Sequence, residues 1–337
     1  MKAIFAIILI FFASTQSALG QWTQQTINTT TDFRGLSAVT KEIAWVSGTK
    51  GTVGRTIDGG KTWEVITVPG AEKLDFRDIE AFSDSIAYVL SIGPGENSRI
   101  YKTTDGGKNW ILQFTNPEKD AFYDAIAFWD ENNGIAMSDP VKGYYRIIVT
   151  DDGGNKWKPL PTTNMPPALP NEGAFAASGT CLITQGENDA WFVTGGAKVA
   201  RVFHSKDRGF TWTVSETPIL AGKESAGIFS IAFKDSSIGM MLGGDYQKPN
   251  ETDRTAAITT DGGKTWKLME NHLPFRSGVA YSEGRWIAVG TTGSHISIDE
   301  GATWKPLDQV NYNTVSFTKS GDGWAAGPKG RIAKWSK

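Results

Sequence analysis

Thr56-Ile57-Asp58-Gly59-Gly60-Lys61-Thr62-Trp63 is the clearest copy of a phrase that recurs along the chain. Further copies end at Trp110, Trp157, Trp212, Trp266 and Trp304. The shared form is Ser/Thr, any residue, Asp, any residue, Gly, two more residues, Trp. Short runs of strand character flank it: Arg99-Ile100-Tyr101-Lys102-Thr103 precedes Asp105, and Trp110-Ile111-Leu112-Gln113-Phe114 follows. The phrase therefore reads as a hairpin turn. Its aspartate accepts backbone N–H groups across the turn, and glycine supplies a positive φ without a Cβ clash. The hydroxyl adds a local hydrogen bond, and the tryptophan covers the turn with a large apolar ring. The expected role of these aspartates (Asp58, Asp105, Asp152, Asp207, Asp261 and Asp299) is structural.

Successive box aspartates lie 47, 47, 55, 54 and 38 residues apart, the mark of a fixed unit with variable insertions. Two more strand-like runs precede each box, at 34–39 and 43–48 in the first unit and at 77–82 and 86–90 in the second. The unit is thus four antiparallel strands, A to D, with the box between C and D. Such units repeated around an axis form an all-β propeller. After the sixth box, strands are expected at 304–307, 312–317, 323–327 and 331–335, and no D strand follows the last of them. Gln21-Trp22-Thr23-Gln24-Gln25-Thr26 is D-like, with Trp22 standing where a box tryptophan would. Pairing it into the last blade predicts a seven-bladed ring with no open edge. A six-bladed ring would leave 312–337 as an extension.

The start of the chain carries Lys2, an unbroken apolar run at residues 3–13, and Ala18-Leu19-Gly20. This is the pattern of a signal peptide over 1–20, with Gln21 as the new N-terminus and 21–337 as one propeller domain. The run is short for a membrane span. A secreted or periplasmic protein without a stable membrane span is expected. Cys181 is the only cysteine, which excludes an internal disulfide and a thiolate metal cluster. Lys and Arg total 34 against 36 Asp and Glu, a formal net charge of −2, which argues against non-specific nucleic-acid binding. The 38 glycines suit many tight turns.

A propeller has two faces. The A–B turns and the boxes share one, and their polar and acidic residues are those that turns favour, so no metal site is expected. The D–A and B–C connections share the other. There lie the long insertions, at 93–98, 138–143, 159–171, 215–226 and 243–254. Loops on a rigid scaffold carry function, which makes this the expected binding face.

Strand A should line the central channel. Aligning its apolar end (Val39, Phe82, Phe128, Ile183, Phe233, Tyr281, Phe317) brings Arg34, Arg77, Tyr123, Ser178, Ile228, Arg276 and Tyr312 near one mouth. A one-residue slip would turn any of them to another face. Guanidinium forks bind carboxylates or phosphates, and tyrosine adds a hydroxyl. The same arginines have a second use, pairing with Asp78, Glu80, Asp124 or Glu172 to hold the channel. The candidate ligand- or partner-binding residues are Arg34, Arg77, Tyr123, Glu172, Arg276 and Tyr312.

The repeated phrase resembles the Asp box of the sialidase-like, or BNR, propeller superfamily. Sialidases hold a carboxylate with three arginines and use a tyrosine nucleophile with a glutamate partner, for which this chain offers Arg34, Arg77, Arg276, Tyr123 or Tyr312, and Glu172. Where they carry Arg-Ile-Pro, however, the chain has Phe33-Arg34-Gly35. The Asp-Gly-Gly-Lys-Thr-Trp phrases are also similar to those of the photosystem II stability/assembly factor-like propellers, over nearly all of 22–337. That second resemblance implies a non-enzymatic scaffold whose arginine patch contacts a partner.

Other chemistry is thin. His204, His272 and His295 are scattered, and no phosphate loop, nucleophile elbow or dinucleotide fingerprint is present. No cofactor is expected. The leading expectation is an exported, monomeric, non-enzymatic scaffold that binds a protein partner or an anionic or glycan ligand at the long-loop face. The alternative is a carbohydrate-active enzyme, a hydrolase or lyase, acting in the same funnel with unassigned catalytic residues.

Overall fold

The computed structural model of the chain describes residues 20–270 and 273–336. The expected signal peptide, residues 1–20, lies outside them except for Gly20, as does His272. Seven sheets of four antiparallel strands form a ring, and no α-helix occurs among the described residues. Blade 1 runs Phe33–Ala38, Ala44–Gly48, Thr52–Thr56 and Glu64–Thr67, its strands A to D. The A strands of blades 2 to 7 are Asp75–Ala81, Tyr123–Phe128, Leu182–Gln185, Ala226–Phe233, Gly278–Ser282 and Thr314–Phe317. Each lies against the A strand of the next blade, and that of blade 7 returns to blade 1. The seven-bladed architecture read from the repeat is borne out. No helix of the described residues is long and apolar enough to cross a membrane.

Packing between blades explains the sequence pattern. Strand B is covered on both faces by neighbouring blades, so Ala44–Gly48 and Gly239–Asp245 are buried at every residue. The D strands face outward and alternate little; Glu64–Thr67 and Lys158–Pro159 are mostly exposed. Large B-strand aromatics then reach across to the next blade. Trp45 Nε1 donates to Ser83 O at 2.9 Å, and the Tyr88 hydroxyl donates to Gly153 O at 2.8 Å. Trp191 Nε1 likewise donates to Gly262 O of the next blade, whereas Trp286 Nε1 donates to Glu300 in the box turn of its own blade. Each buried ring thus brings a polar tip to a partner.

The box turns take the expected form. Thr56 Oγ1 donates to Asp58 Oδ1 at 2.9 Å and accepts from Gly60 N–H at 2.8 Å. Asp58 also accepts from the backbone and hydroxyl of Thr62, at 2.9 and 2.6 Å. These bonds hold the carboxylate at about 2, the Thr62 hydroxyl first among them. Asp105, Asp152, Asp207, Asp261 and Asp299 repeat the hydroxyl and backbone bonds. Gly60 sits at φ 82°, where a side chain would be strained. The turn also bonds to the A–B turn of its own blade: Gly59 N–H to Glu42 O, Gly106 to Ser85, Gly153 to Asn132, Gly262 to Ser237. This places boxes and A–B turns on one face.

One loop expectation fails. Residues 138–143 were expected as an insertion, but strand B of blade 3 runs through them as Gly134–Val141. Pro140 pairs with Tyr145 and Val141 with Tyr144, beyond a register shift that absorbs the proline's missing N–H. Only Lys142 and Gly143, both at positive φ, turn the chain.

Gln21–Gln25 closes the ring as strand D of blade 7, pairing with Ile332–Ser336 from Gln21↔Ser336 to Gln25↔Ile332. Trp22 packs edge-on against Trp335 at 5.0 Å and lies near Tyr312 and Phe317. The Gln25 amide joins the two end blades. Its Oε1 accepts from Trp324 Nε1 of blade 7 and from Trp63 Nε1 of blade 1, while its Nε2 donates to Gly59 O. Trp22→Ala is expected to cost about 2–3 kcal/mol, less than a fully buried tryptophan because the ring is half-buried. Gln25→Ala should cost about 1–2 kcal/mol by orphaning two indole donors. Urea unfolding of both variants checks this; an unchanged midpoint for Trp22→Ala would show that the strand does not close the ring.

Candidate binding site at the channel mouth

Strand A does not enter the channel regularly. Pairing with strand B slips by one residue between Phe33 and Gly35, Phe76 and Asp78, Tyr123 and Ala125, and Ile228 and Ser230. Each slip is a β-bulge that re-aims one side chain. The residues so placed are Arg34, Arg77, Asp124 and Phe229, and all four line one pocket at the long-loop mouth. Its volume is about 510 Å³, within the usual range for small-molecule sites. Ala177, Ser277 and Asn313 complete the inner ring.

The floor is a chain segment that sequence reading missed. Residues 172–180, between blade 3 and strand A of blade 4, cross the channel mouth. Ala177 O accepts from Arg34 Nη1 at 3.5 Å and Ala176 O from Arg77 Nη1 at 3.0 Å. Ala174 N–H donates to Asp139 of blade 3 at 2.8 Å. Ser178 Oγ donates to Ser277 O in the approach to blade 6, and its carbonyl accepts from Thr314 Oγ1 of blade 7. Small residues let the backbone through. A Cβ on Gly179 would meet the Asp78 carboxylate at 2.2 Å, and one on Gly195 would meet Phe175. The run Gly173-Ala174-Phe175-Ala176-Ala177-Ser178-Gly179 was the legible signal.

The pocket has three walls. Arg34 and Arg77 form the cationic one. Arg77 Nε pairs with Asp75 at 2.8 Å. Burial, and then Arg77, hold the Arg34 guanidinium below its usual range. Asp124 and Asp139 form the acidic wall. Burial and then Asp139 push the Asp124 carboxyl well up, and burial pushes Asp139 to about 6. The aromatic wall is Phe175 stacked on Phe229 at 3.9 Å, with Phe275 edge-on at 4.8 Å and Tyr246 at the rim. Below, Asp78 ties blade 2 to blade 3 by accepting from Ile79 N–H and Ile126 N–H, and burial raises it to about 7.

The six expected site residues divide. Arg34 and Arg77 face the pocket together. Tyr123 is buried against Phe114 at 5.4 Å, in the core of blades 2 and 3. Arg276 is 1 % exposed, donating to Phe275 O, Thr292 Oγ1 and His295 Nδ1. Tyr312 is buried, accepting from Gln24 and donating to Asp308. Glu172 is buried under the loop of residues 160–171, its carboxylate bound by Arg201, Thr194 Oγ1 and Leu169 N–H. The reason is register. The residue whose N–H bonds across the A–B turn is Val39 in blade 1, but Trp129, Lys234 and Thr318 in blades 3, 5 and 7. Counting back from these gives Asp124, Phe229 and Asn313, one position beyond Tyr123, Ile228 and Tyr312.

Comparison with known proteins follows this geometry. The family model described as photosynthesis system II assembly factor YCF48 matches residues 14–112, and the BNR/Asp-box repeat model matches 257–268. Among solved structures, YCF48 bound to D1 peptide superposes with a TM-score of 0.69 at 19 % identity, covering 94 % of this chain and 97 % of that one. YCF48 from Cyanidioschyzon merolae gives 0.66 at 20 %, covering 94 % and 98 %. Streptogramin B lyase gives 0.66 at 13 %, covering 94 % and 97 %. At these identities the likeness shows the propeller fold. No curated protein matches. The likeness to the Asp-box repeat and to the photosystem II assembly factor family, read from residues alone, is borne out.

Arg276 supplies a pH test. A guanidinium only donates, so His295 Nδ1 accepts and the ring is neutral. Burial and then Arg276 push His295 down to about 4, whereas an unfolded histidine titrates near ~6.5. Between these values the unfolded chain binds more protons, so stability falls as pH drops from 6.5 towards 4. His295→Gln, which keeps an acceptor, is expected to flatten that slope in urea unfolding at pH 7 and pH 5. An unaltered slope would show that His295 does not carry it.

Proposed function

We propose that the chain is an exported, non-enzymatic, monomeric propeller that binds a segment of a protein partner, or an anionic group on it, at the long-loop face. Arg34 and Arg77 are its anion-binding groups. One observation carries this reading. Two guanidinium groups stand in the pocket, already holding the backbone carbonyls of Ala176 and Ala177, with ring faces opposite for apolar side chains. Arg34 forms no ion pair within 4.0 Å among the described residues, leaving its charge for a ligand. A pocket that orders one chain segment by its carbonyls is suited to a second that adds a carboxylate. The structural relative YCF48 bound to D1 peptide is a propeller of the same form with a peptide partner.

Of the residues the sialidase resemblance offered as nucleophile and partner, neither Glu172 nor Tyr123 nor Tyr312 lines the pocket. Glu172 has both oxygens bound, and Tyr123 is raised to near-permanent neutrality by burial. The reading of residues 1–20 as a leader rests on Lys2, the apolar run at residues 3–13 and Ala18-Leu19-Gly20.

Arrays of short acidic peptides should be retained by the wild-type protein. Arg34→Gln with Arg77→Gln, which keep a donor for the floor carbonyls, should weaken retention at least ~10-fold by removing the charge, with the thermal midpoint recorded alongside. Equal retention by wild type and variant would overturn the proposal, as would turnover on a glycoside panel. Expressed with residues 1–20 in a bacterial host, the protein is expected in the periplasm with Gln21 at its N-terminus by mass spectrometry. An intact membrane-bound chain would contradict the leader.

A further inference from the structure

We propose that Asp124 and Asp139 form a second subsite of the same pocket, one that takes the ammonium of a lysine side chain on the bound segment. The inference deepens the partner-binding reading and rests on it for the source of the lysine.

Asp124 is a bulge residue of blade 3, 1 % exposed, and its Oδ2 has no hydrogen-bond partner. A buried carboxylate oxygen left without a donor is costly, and native proteins rarely keep one without use. Asp139, half-buried on the adjoining strand, is fixed by backbone and side-chain bonds. Its N–H donates to Phe122 O at 2.8 Å and its Oδ1 accepts from Ala174 N–H. Both residues line the pocket. No lysine or arginine of the described residues pairs with either, because Arg77 is held by Asp75 and Ala176 O and Arg34 by Ala177 O. The acidic wall therefore lacks the donor that its chemistry calls for.

The surroundings choose the cation. Phe122, Phe175 and Ile92 line the same pocket as the two carboxylates. Ring faces attract an ammonium, and apolar walls cover the four-carbon stem of a lysine. A bare divalent ion is less suited. Among the described residues no group of three His, Cys, Asp or Glu is placed to hold a metal. Burial, and then Asp139, push the Asp124 carboxyl up, burial pushes Asp139 up, and an ammonium beside them offsets both costs. With the arginines on the neighbouring blades 1 and 2, the pocket reads a segment with both signs of charge.

Two probes test this. n-Butylammonium chloride, followed by amide NMR, should shift the Ala174 N–H saturably, and n-butanol should not. The ammonium response should vanish in Asp124→Asn/Asp139→Asn and weaken at least ~5-fold in Asp139→Asn alone, a half-buried site where the fold is safest. It should persist in Arg34→Ala/Arg77→Ala. The second probe is a pair of acidic peptides differing only in lysine or norleucine; the lysine form should bind at least ~10-fold tighter to wild type and lose that advantage in the Asn variants. Identical responses to butylammonium and butanol, or a response that survives both Asn substitutions, would overturn the subsite. Peptides that bind equally well with norleucine would also overturn it and leave the arginine reading standing. A butylammonium response without peptide binding would keep the subsite and refute the partner reading.

Discussion

The ring depends on the pairing of its first strand, Gln21–Gln25, with its last, Ile332–Ser336, and one side-chain amide ties that closure to the next blade. Gln25 accepts indole N–H groups from Trp324 in blade 7 and Trp63 in blade 1, and donates to the Gly59 carbonyl. Those bonds sit where the first strand of the chain meets its last blade. Lys334 adds to the same junction by donating to Lys41 O and Gly59 O. Every blade is joined to the next by the chain, blade 7 to blade 1 through residues 26–32, so the one closure that relies entirely on non-covalent contacts is the pairing of Gln21–Gln25 with Ile332–Ser336 inside blade 7. A circular array of wedge-shaped sheets tolerates no gap, because each B strand needs a neighbour on both faces.

Once the ring is closed, its geometry leaves a central mouth and the bulges decide what enters it. Four bulges at matching positions turn two arginines, an aspartate and a phenylalanine inward. Residues 172–180 then close the floor and bind to blades 1, 2, 3, 5, 6 and 7 by side-chain or backbone bonds. The buried Glu172–Arg201 pair anchors the start of that segment, with Arg201 also donating to Pro167 O. Such a pair is weak evidence for stability, since desolvation opposes the attraction. Its position suggests orientation instead: it fixes where the loop of residues 160–171 ends and the floor begins.

Much of this was legible in the residues. Six boxes, their spacing and the orphan strand at Trp22 led to seven blades and to the choice of face. Those features repeat, and repetition averages out local irregularity. The site did not repeat. Val39 and Phe82 mark the end of strand A in two blades, whereas Phe128, the apolar residue that looked equivalent, stands one place early. One step in register exchanges Tyr123 for Asp124 and so replaces an aromatic hydroxyl with an acid. The floor escaped notice because a run of small residues carries no periodicity. Glu172 was noticed as a charge, but its partner Arg201 lies 29 residues on and is adjacent only in the fold.

Joining Gln21–Gln25 to Ile332–Ser336 also governs the order of events during folding. Blades 1 to 6 are built from neighbouring segments, so each can condense as it becomes available. Blade 7 pairs residues some three hundred apart in the chain. The entropic cost of closing such a loop grows with the logarithm of its length, and non-local pairing slows folding. Gln21–Gln25 must therefore wait, unpaired and with Trp22 exposed, until Ile332–Ser336 is in place. A chain that stops short of that strand is left with two complementary, unfilled edges, one at each end, that another copy could satisfy. The step that completes the ring is thus also the one at which two copies could exchange strands.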